Sequence, residues 1–262
     1  MKWNIIEAIP RSGGVRIIGY QDGAPVTGED GVPTILDAPE APENAMPIGL
    51  VDGRSAFAVE QDGDVPTRTL LDLFRAGAVE PTEFALLSRG KHLLEWRANH
   101  QFCGRCGSHT RFLTVPTRTT CLSCGMTTHP RISPCVIVLV HDGERVLLVR
   151  SKAPRVASFH SCVAGFVEAG ETLEQAVVRE VKEETGVNID HLTYFGSQPW
   201  PFPDQLMIGF HARYASGDIV IGDSEEIADA RWFIESALPR HPSSASIAGQ
   251  LIHSHFENRS RN

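Results

Sequence analysis

Three glutamates, Glu180, Glu183 and Glu184, crowd one end of a single short helix, and nothing else in the chain restricts its folding as strongly. Residues 165–187 read GFVEAGETLEQAVVREVKEETGV. Thr172 and Gln175 stand at capping-box spacing and mark the helix start. Gly186 suits its end, where the backbone usually turns left-handed. At about 100° per residue, Leu173, Ala176, Val177, Glu180 and Glu184 fall on one broad stripe, with Glu183 at its edge. That stripe is apolar in its first half and acidic in its second. A surface helix sets its charges opposite its apolar face; here the acids continue the inward face, where a carboxylate needs a partner. Carboxylates this close repel one another unless a cation sits among them. Upstream, Gly165 and Gly170 allow a loop to turn tightly against a ligand. The residues point to a divalent-metal site built to hold a diphosphate. The plainer alternative is a solvated acidic helix countered by Arg179 and Lys182.

The same segment fits the pattern G-x5-E-x7-R-E-U-x-E-E-x-G-U, with U aliphatic. The fixed positions are Gly165, Glu171, Arg179, Glu180, Val181, Glu183, Glu184, Gly186 and Val187. It resembles the signature of the Nudix hydrolases. The resemblance implies an α/β/α sandwich that hydrolyses nucleoside diphosphates linked to another group, using Mg²⁺ or Mn²⁺. It implies that Glu180 and Glu184 ligate the metal, and that Glu183 is a ligand or the base that activates water. It also implies that Glu171 and Arg179 hold loop and helix together. The chemistry asks for these residue types: hard oxygen ligands bind the dication, bridging charge is neutralised, and a nearby carboxylate takes a proton from water. No G-x-x-x-x-G-K-[ST] loop is present, so the phosphate grip is not that of a P-loop.

Residues 197–204 read SQPWPFPD. Pro199, Pro201 and Pro203 stiffen an extended loop. Trp200 and Phe202 alternate with them and present flat faces suited to a base or a nicotinamide ring, or else simply finish the core. The run from Ser197 to Pro203 resembles an element that marks the NADH pyrophosphatase branch of the Nudix family. The resemblance makes Ser197, Gln198, Pro199, Trp200, Pro201, Phe202, Pro203 and Asp204 candidate substrate contacts. Gln205 stands where the branch has a final Ser.

Cys103 and Cys106 are separated by fourteen residues from Cys121 and Cys124. Two C-x2-C pairs at this distance suit one tetrahedral zinc ion with four thiolate ligands, rather than two redox pairs or disulfides. With no open position, such a zinc is structural. Cys135 and Cys162 sit in apolar contexts and read as inert core residues. A zinc ribbon ahead of the catalytic domain is also similar to the NADH pyrophosphatase branch.

The chain has 262 residues, 42% of them hydrophobic, enough for two modest domains. The division expected is an N-terminal β-rich domain over residues 1–99, a zinc ribbon over 100–130, and a Nudix domain over 131–262. VRIIGY (15–20) and SAFAVE (55–60) read as strands. Residues 21–48, rich in Pro, Gly and acids, read as a mobile surface loop. Pro81–Asn99 reads as a helix. CVIVLV (135–140) and RVLLVR (145–150) look like a hairpin through Asp142-Gly143, LMIGFHARY (206–214) like a strand, and residues 243–257 like a closing helix. No run of 18 apolar residues exists and the start MKWNIIEAIPRSGG lacks a signal-peptide core, so no membrane partner is expected. Zinc-binding thiolates favour the cytoplasm. A net charge of −8 argues against broad nucleic-acid binding, though not against recognition of one nucleotide at an RNA end.

Further positions follow only from the family resemblance. Glu226 aligns with a distant metal-binding Glu, with Glu225 as its rival. The Ala164 carbonyl resembles a backbone metal ligand, Phe166 matches a ring that stacks on nicotinamide, and Arg68 and Ala248 match substrate contacts. The branch often has Tyr at His129 and Glu at Pro116; His129 receives no catalytic role. The resemblance implies hydrolysis of NADH or NAD⁺ to nicotinamide mononucleotide and AMP, removal of NAD caps from RNA 5′ ends, and a homodimer whose sites draw on both chains. A Nudix hydrolase for ADP-ribose or a diadenosine polyphosphate is one alternative. A zinc-ribbon RNA-binding protein with a silent Nudix domain is another.

Overall fold

The structure, a computed structural model, describes residues 10–114, 117–153, 158–221 and 226–259. Pro116 and Glu225 lie outside the described residues. The chain divides into two compact units, residues 1–131 with 201–204, and residues 132–200 with 205–262.

The first unit opens with β1 (Ser12–Gln21), β2 (Ala24–Pro25), β3 (Ile35–Glu40), β4 (Met46–Val51) and β5 (Arg54–Glu60). β1 runs parallel to β5 and antiparallel to β2 and β3, and β4 closes on β5. Helices α1 (Leu70–Arg75) and α2 (Pro81–Asn99) follow. Pro81 occupies the first turn of α2, where its missing N–H costs nothing. Tyr20 is fully buried, and its hydroxyl donates to the Leu87 carbonyl of α2 at 2.9 Å. It lies so close to Gly90 that an added Cβ would sit 2.3 Å from the hydroxyl. The small ribbon sheet comprises β6 (Thr110–Thr114), β7 (Thr117–Cys121) and β8 (Thr127–Thr128).

Residues 21–48 are not a surface loop. They contribute β2, β3 and the start of β4, where Met46 and Ile48 are fully buried. Asp37, Pro39 and Glu40, three of the residues that read as loop, lie on β3, which among the described strands pairs only with β1. An edge strand tolerates Pro39 and exposed acids because one row of its backbone groups needs no ladder partner.

The second unit contains β9 (Ser133–His141), β10 (Val146–Ser151), β11 (Val163–Phe166), α3 (Leu173–Thr185), β12 (Asn188–Trp200), β13 (Gln205–Ser216), β14 (Ile227–Phe233) and α4 (Ile247–Arg259). The sheet order is β12-β13-β9-β10-β14, with β11 also on β9; β13 and β9 are parallel. Alternation along β9 explains its unbroken apolar run. Val136, Val138 and Val140 face the cluster containing Ala176, Val177 and Val181 of α3, whereas Cys135, Ile137 and Leu139 face Leu251, Ile252 and Phe256 of α4. A strand covered on both faces has no polar side, and the result is the expected helix–sheet–helix sandwich.

Leu251 is fully buried on the α4 side, whereas Val178 is 46% exposed on α3. Leu251→Ala should cost about 2–5 kcal/mol, and Val178→Ala within about 0.5 kcal/mol of nothing, measured by chemical denaturation.

Candidate active site

The acids are held by a helix whose ends are fixed locally. The Thr172 hydroxyl accepts from the Gln175 amide at 3.2 Å, and the Gln175 side chain accepts from the Thr172 amide at 2.8 Å, completing the capping box. Gly186 closes the helix with φ 78°, and Lys182 donates to its carbonyl at 2.7 Å. Between these ends, Ala176, Val177 and Val181 are fully buried in the core, which fixes the rotation of α3 and turns Glu184 inward. Glu184 is only 7% exposed.

Gly165 does not serve a loop turn. It sits within β11, paired with Val136, and its role is to be small. A Cβ built there would lie 1.9 Å from Cδ of Glu180 and about as close to both carboxylate oxygens. The Glu180 carboxylate occupies the space a side chain would take. Gly170, by contrast, lies outside any strand or helix with φ 95°.

Arg179 is the local counter-charge. Its Nε and Nη2 bind the two oxygens of Glu171 at 2.6 and 2.8 Å, a two-point grip. Nη2 also donates to the Phe166 carbonyl at 2.9 Å, so loop, strand and helix share one guanidinium. Nη1 reaches Glu180 at 2.7 Å and Glu183 at 3.1 Å. Arg179 and the Glu168 amide hold the Glu171 carboxyl down at about 2. Burial raises Glu180 above the usual carboxylate range. Burial, with the charges of Glu180 and Glu226 added, pushes Glu184 up to about 8, despite a hydrogen bond from the Ala164 amide. Oε2 of Glu184 is buried and accepts no hydrogen bond among the described residues. An orphaned buried carboxylate oxygen is costly, and a dication among Glu180, Glu184 and Glu226 would satisfy it. The donor set is all hard oxygen, the chemistry a divalent cation takes, although among the described residues these carboxylates are not drawn as close together as the four cysteine sulfurs are. Glu183, with its side chain 60% exposed, is the exposed acid of the group.

The structure gathers several other expected residues. Phe166, 49% exposed, ends β11 next to Gly165, and Ala164 precedes it. Trp200 and Ala164 pack against the cluster that contains Ala248, which lies in the first turn of α4 and is 6% exposed. Gln198 is already engaged: its amide nitrogen donates to the Ala245 carbonyl at 3.0 Å, and its oxygen accepts from the Ile247 amide at 2.8 Å. That oxygen satisfies a first-turn N–H of α4, as a capping side chain does. Ser197 and Pro199 lie exposed on the other face of β12. The stiff loop read from the prolines is thus the end of a hairpin: β12 runs to Trp200, Pro201–Asp204 make the turn, and β13 begins at Gln205. The Phe202–Pro203 peptide is cis. Arg68 belongs to the first unit and donates to the Gly31 carbonyl at 3.2 Å. His129 is exposed.

Sequence spacing did not reveal two further groupings. His160 meets Asp229 at 3.1 Å across β14. The rings of His141 and His255 lie 4.7 Å apart and those of His141 and His211 6.4 Å. Strand pairing and the packing of α4 on the sheet bring them together, so no local pattern could have found them.

The four ribbon cysteines also converge. Their sulfurs all lie within 4.8 Å of one another, with Cys103–Cys124 at 3.7 Å and Cys106–Cys121 at 3.5 Å. These spacings match the edge of a tetrahedron with metal–sulfur bonds of about 2.3 Å. All four are free of disulfides. The two halves repeat one turn. The Gly107 amide bonds to the Cys103 carbonyl at 2.9 Å and the Gly125 amide to the Cys121 carbonyl at 3.2 Å. The backbone and hydroxyl of Ser108 hold the Cys106 thiol down at about 6, toward the thiolate a metal needs.

The chain matches the NUDIX domain model over residues 130–253. It is 48% identical over 179 residues to a Pseudomonas aeruginosa protein named NAD-capped RNA hydrolase NudC; the match covers 68% of this chain and 63% of that relative. A protein of the same name from Pasteurella multocida is 44% identical over 212 residues, covering 80% and 79%. Among solved structures, a NUDIX hydrolase from Nitrosomonas europaea aligns with a TM-score of 0.50 at 25% identity, over 62% of this chain and 93% of that one.

The Gly165 geometry yields a direct test. Gly165→Ala should displace the Glu180 carboxylate, so that Mn²⁺ no longer raises the melting temperature of the purified protein. An unchanged Mn²⁺-induced shift would show that Glu180 tolerates the added methyl group.

Proposed function

This chain belongs to the Nudix family, and on that premise we propose that it hydrolyses the central pyrophosphate of NADH or NAD⁺ and removes NAD caps from RNA 5′ ends. The observation that carries the reading is the orphaned, buried Glu184 oxygen beside the Glu180 carboxylate that fills the gap at Gly165. The names of the Pseudomonas and Pasteurella relatives support the substrate. So does the SQPWPFPD run, whose Trp200 and Phe202 are proposed contacts for a base or nicotinamide ring.

Glu180, Glu184 and Glu226 hold Mg²⁺ or Mn²⁺ together with the Ala164 carbonyl, and Glu183 is a further ligand or the base. The ions supply charge neutralisation at the pyrophosphate and acidify water. Water adds across the P–O–P bridge: one phosphorus gains its oxygen, the other leaves with the bridging oxygen, and the products are nicotinamide mononucleotide and AMP. As base, Glu183 takes the proton; its exposure, with Arg179 its ion-pair partner among the described residues, leaves it free to approach. Phe166 offers its exposed ring to the nicotinamide. Arg68, Ser197, Pro199 and Ala248 are the remaining proposed substrate contacts. Gln198 acts by holding the hairpin to α4.

Cys103, Cys106, Cys121 and Cys124 hold one structural Zn²⁺. We take the protein to act in the cytoplasm as a homodimer. No helix among the described residues is long and apolar enough to cross a membrane.

A product assay on NADH, NAD⁺, ADP-ribose, a diadenosine polyphosphate and NAD-capped RNA tests the reading. NADH and capped RNA should give the highest kcat/KM, and intact NADH after incubation with Mg²⁺ or Mn²⁺ would overturn it. Glu183→Gln should lower kcat by about 10²-fold or more while leaving the melting temperature nearly unchanged, since only an exposed ion pair is lost. Cys106→Ser should take bound zinc, measured by elemental analysis, from one ion per chain to none, and lower the ribbon's resistance to proteolysis.

A further inference from the structure

Charge is unevenly placed along the chain. The net charge is −8, yet residues 100–131 contain Arg105, Arg111, Arg118 and Arg131, three histidines, and no Asp or Glu. Even with four thiolates on one dication, the arginines outweigh the sulfur charge. Among the described residues, Arg105, Arg111 and Arg118 form no ion pair with a carboxylate. Arg105 and Arg111 are exposed.

The ribbon sorts these residues by face. Residues directly opposite in an antiparallel pair point the same way. Arg111 pairs with Thr120, Leu113 with Arg118, and Thr120 with Thr127, so two arginines, Leu113 and two hydroxyls share one face. Phe112 points to the other face, where its ring lies 5.6 Å from Trp96 of α2. On the arginine face Arg111 and Thr127 are exposed, whereas Nε of Arg118 is buried without a partner among the described residues. Beside the first cysteine turn, Phe102 is 58% exposed, its ring 4.6 Å from that of His109. The His109 carbonyl accepts from the amide of Leu122, itself 66% exposed. Such a cluster of exposed apolar and aromatic groups within a basic, acid-free segment is unlike a plain solvated surface.

We propose that the ribbon docks the single-stranded RNA that follows an NAD cap. Phe102 and His109 stack on a base, and Arg105 and Arg111 hold phosphates. Single strands are bound by this pairing of aromatic faces with guanidinium groups, with little demand on sequence. Free NADH has no such extension and makes no use of the surface. The inference rests on the reading that the acidic site removes NAD caps, and it adds how a capped RNA is told from the free dinucleotide.

The test compares full-length Phe102→Ala and the double variant Arg105→Glu/Arg111→Glu with the wild type. Each is assayed on NADH and on an NAD-capped single strand of about twenty nucleotides, longer than one typical binding site. Loss of a stacking or phosphate contact should lower kcat/KM on capped RNA by about tenfold while leaving NADH turnover and zinc content unchanged, and Phe102→Trp should restore the RNA rate. Fluorescence anisotropy with the same RNA lacking its cap should show weaker, less salt-dependent binding for the arginine variant. That measurement needs no hydrolysis, so it decides the inference even if the enzyme spares NADH. Unchanged RNA rates and binding would overturn the proposal. Equal losses on both substrates with a change in molecular mass would overturn it too, making the patch a contact between copies.

Discussion

Burying carboxylates is the demand around which the second unit is arranged. Glu184 and Glu180 lie on the inward side of α3, where Glu184 is buried and Glu180 only partly reached by water. Four features meet that demand: a glycine on β11 that leaves room for Glu180, the Ala164 amide that bonds Glu184, a bidentate Arg179–Glu171 pair, and a helix capped at both ends. Each is a precondition for holding charge in a fixed place. The hydrophobic contacts of Ala176, Val177 and Val181 set the helix's rotation, so the apolar half of the stripe aims the acidic half.

The ribbon solves a different problem with the same economy. Its three short strands bury few large side chains, and Thr hydroxyls face one another across β7 and β8, with Thr119 and Thr128 at 2.7 Å. A sheet this small does not stand on hydrophobic burial alone. Four converging sulfurs supply a cross-link between its two turns once a metal is bound.

Much of the site was legible because its chemistry is local. The capping box, the acidic stripe and the C-x2-C turns each lie within a few residues, and short-range geometry fixes what they form. Pro81–Asn99 was legible for the same reason, and the structure gives those bounds. What escaped depends on partners distant in sequence. Gly165 read as a loop residue because its neighbour Glu180 is known only once β11 packs on α3. The 21–48 segment read as a loop because composition does not reveal that β3 is an edge strand beside β1. Gln198 read as a ligand contact because its partners, Ala245 and Ile247, lie 47 and 49 residues away.

Arg179 carries one more consequence. Its Nη1 spans Glu180 and Glu183 while Nε and Nη2 grip Glu171 and the Phe166 carbonyl. One guanidinium thus balances two acids on one side and fastens helix to loop on the other, so neutralising charge and fixing geometry fall to the same side chain. Its reach ends there: the buried Oε2 of Glu184 stays without a partner among the described residues, and Glu184 is the acid whose charge the fold itself leaves unanswered.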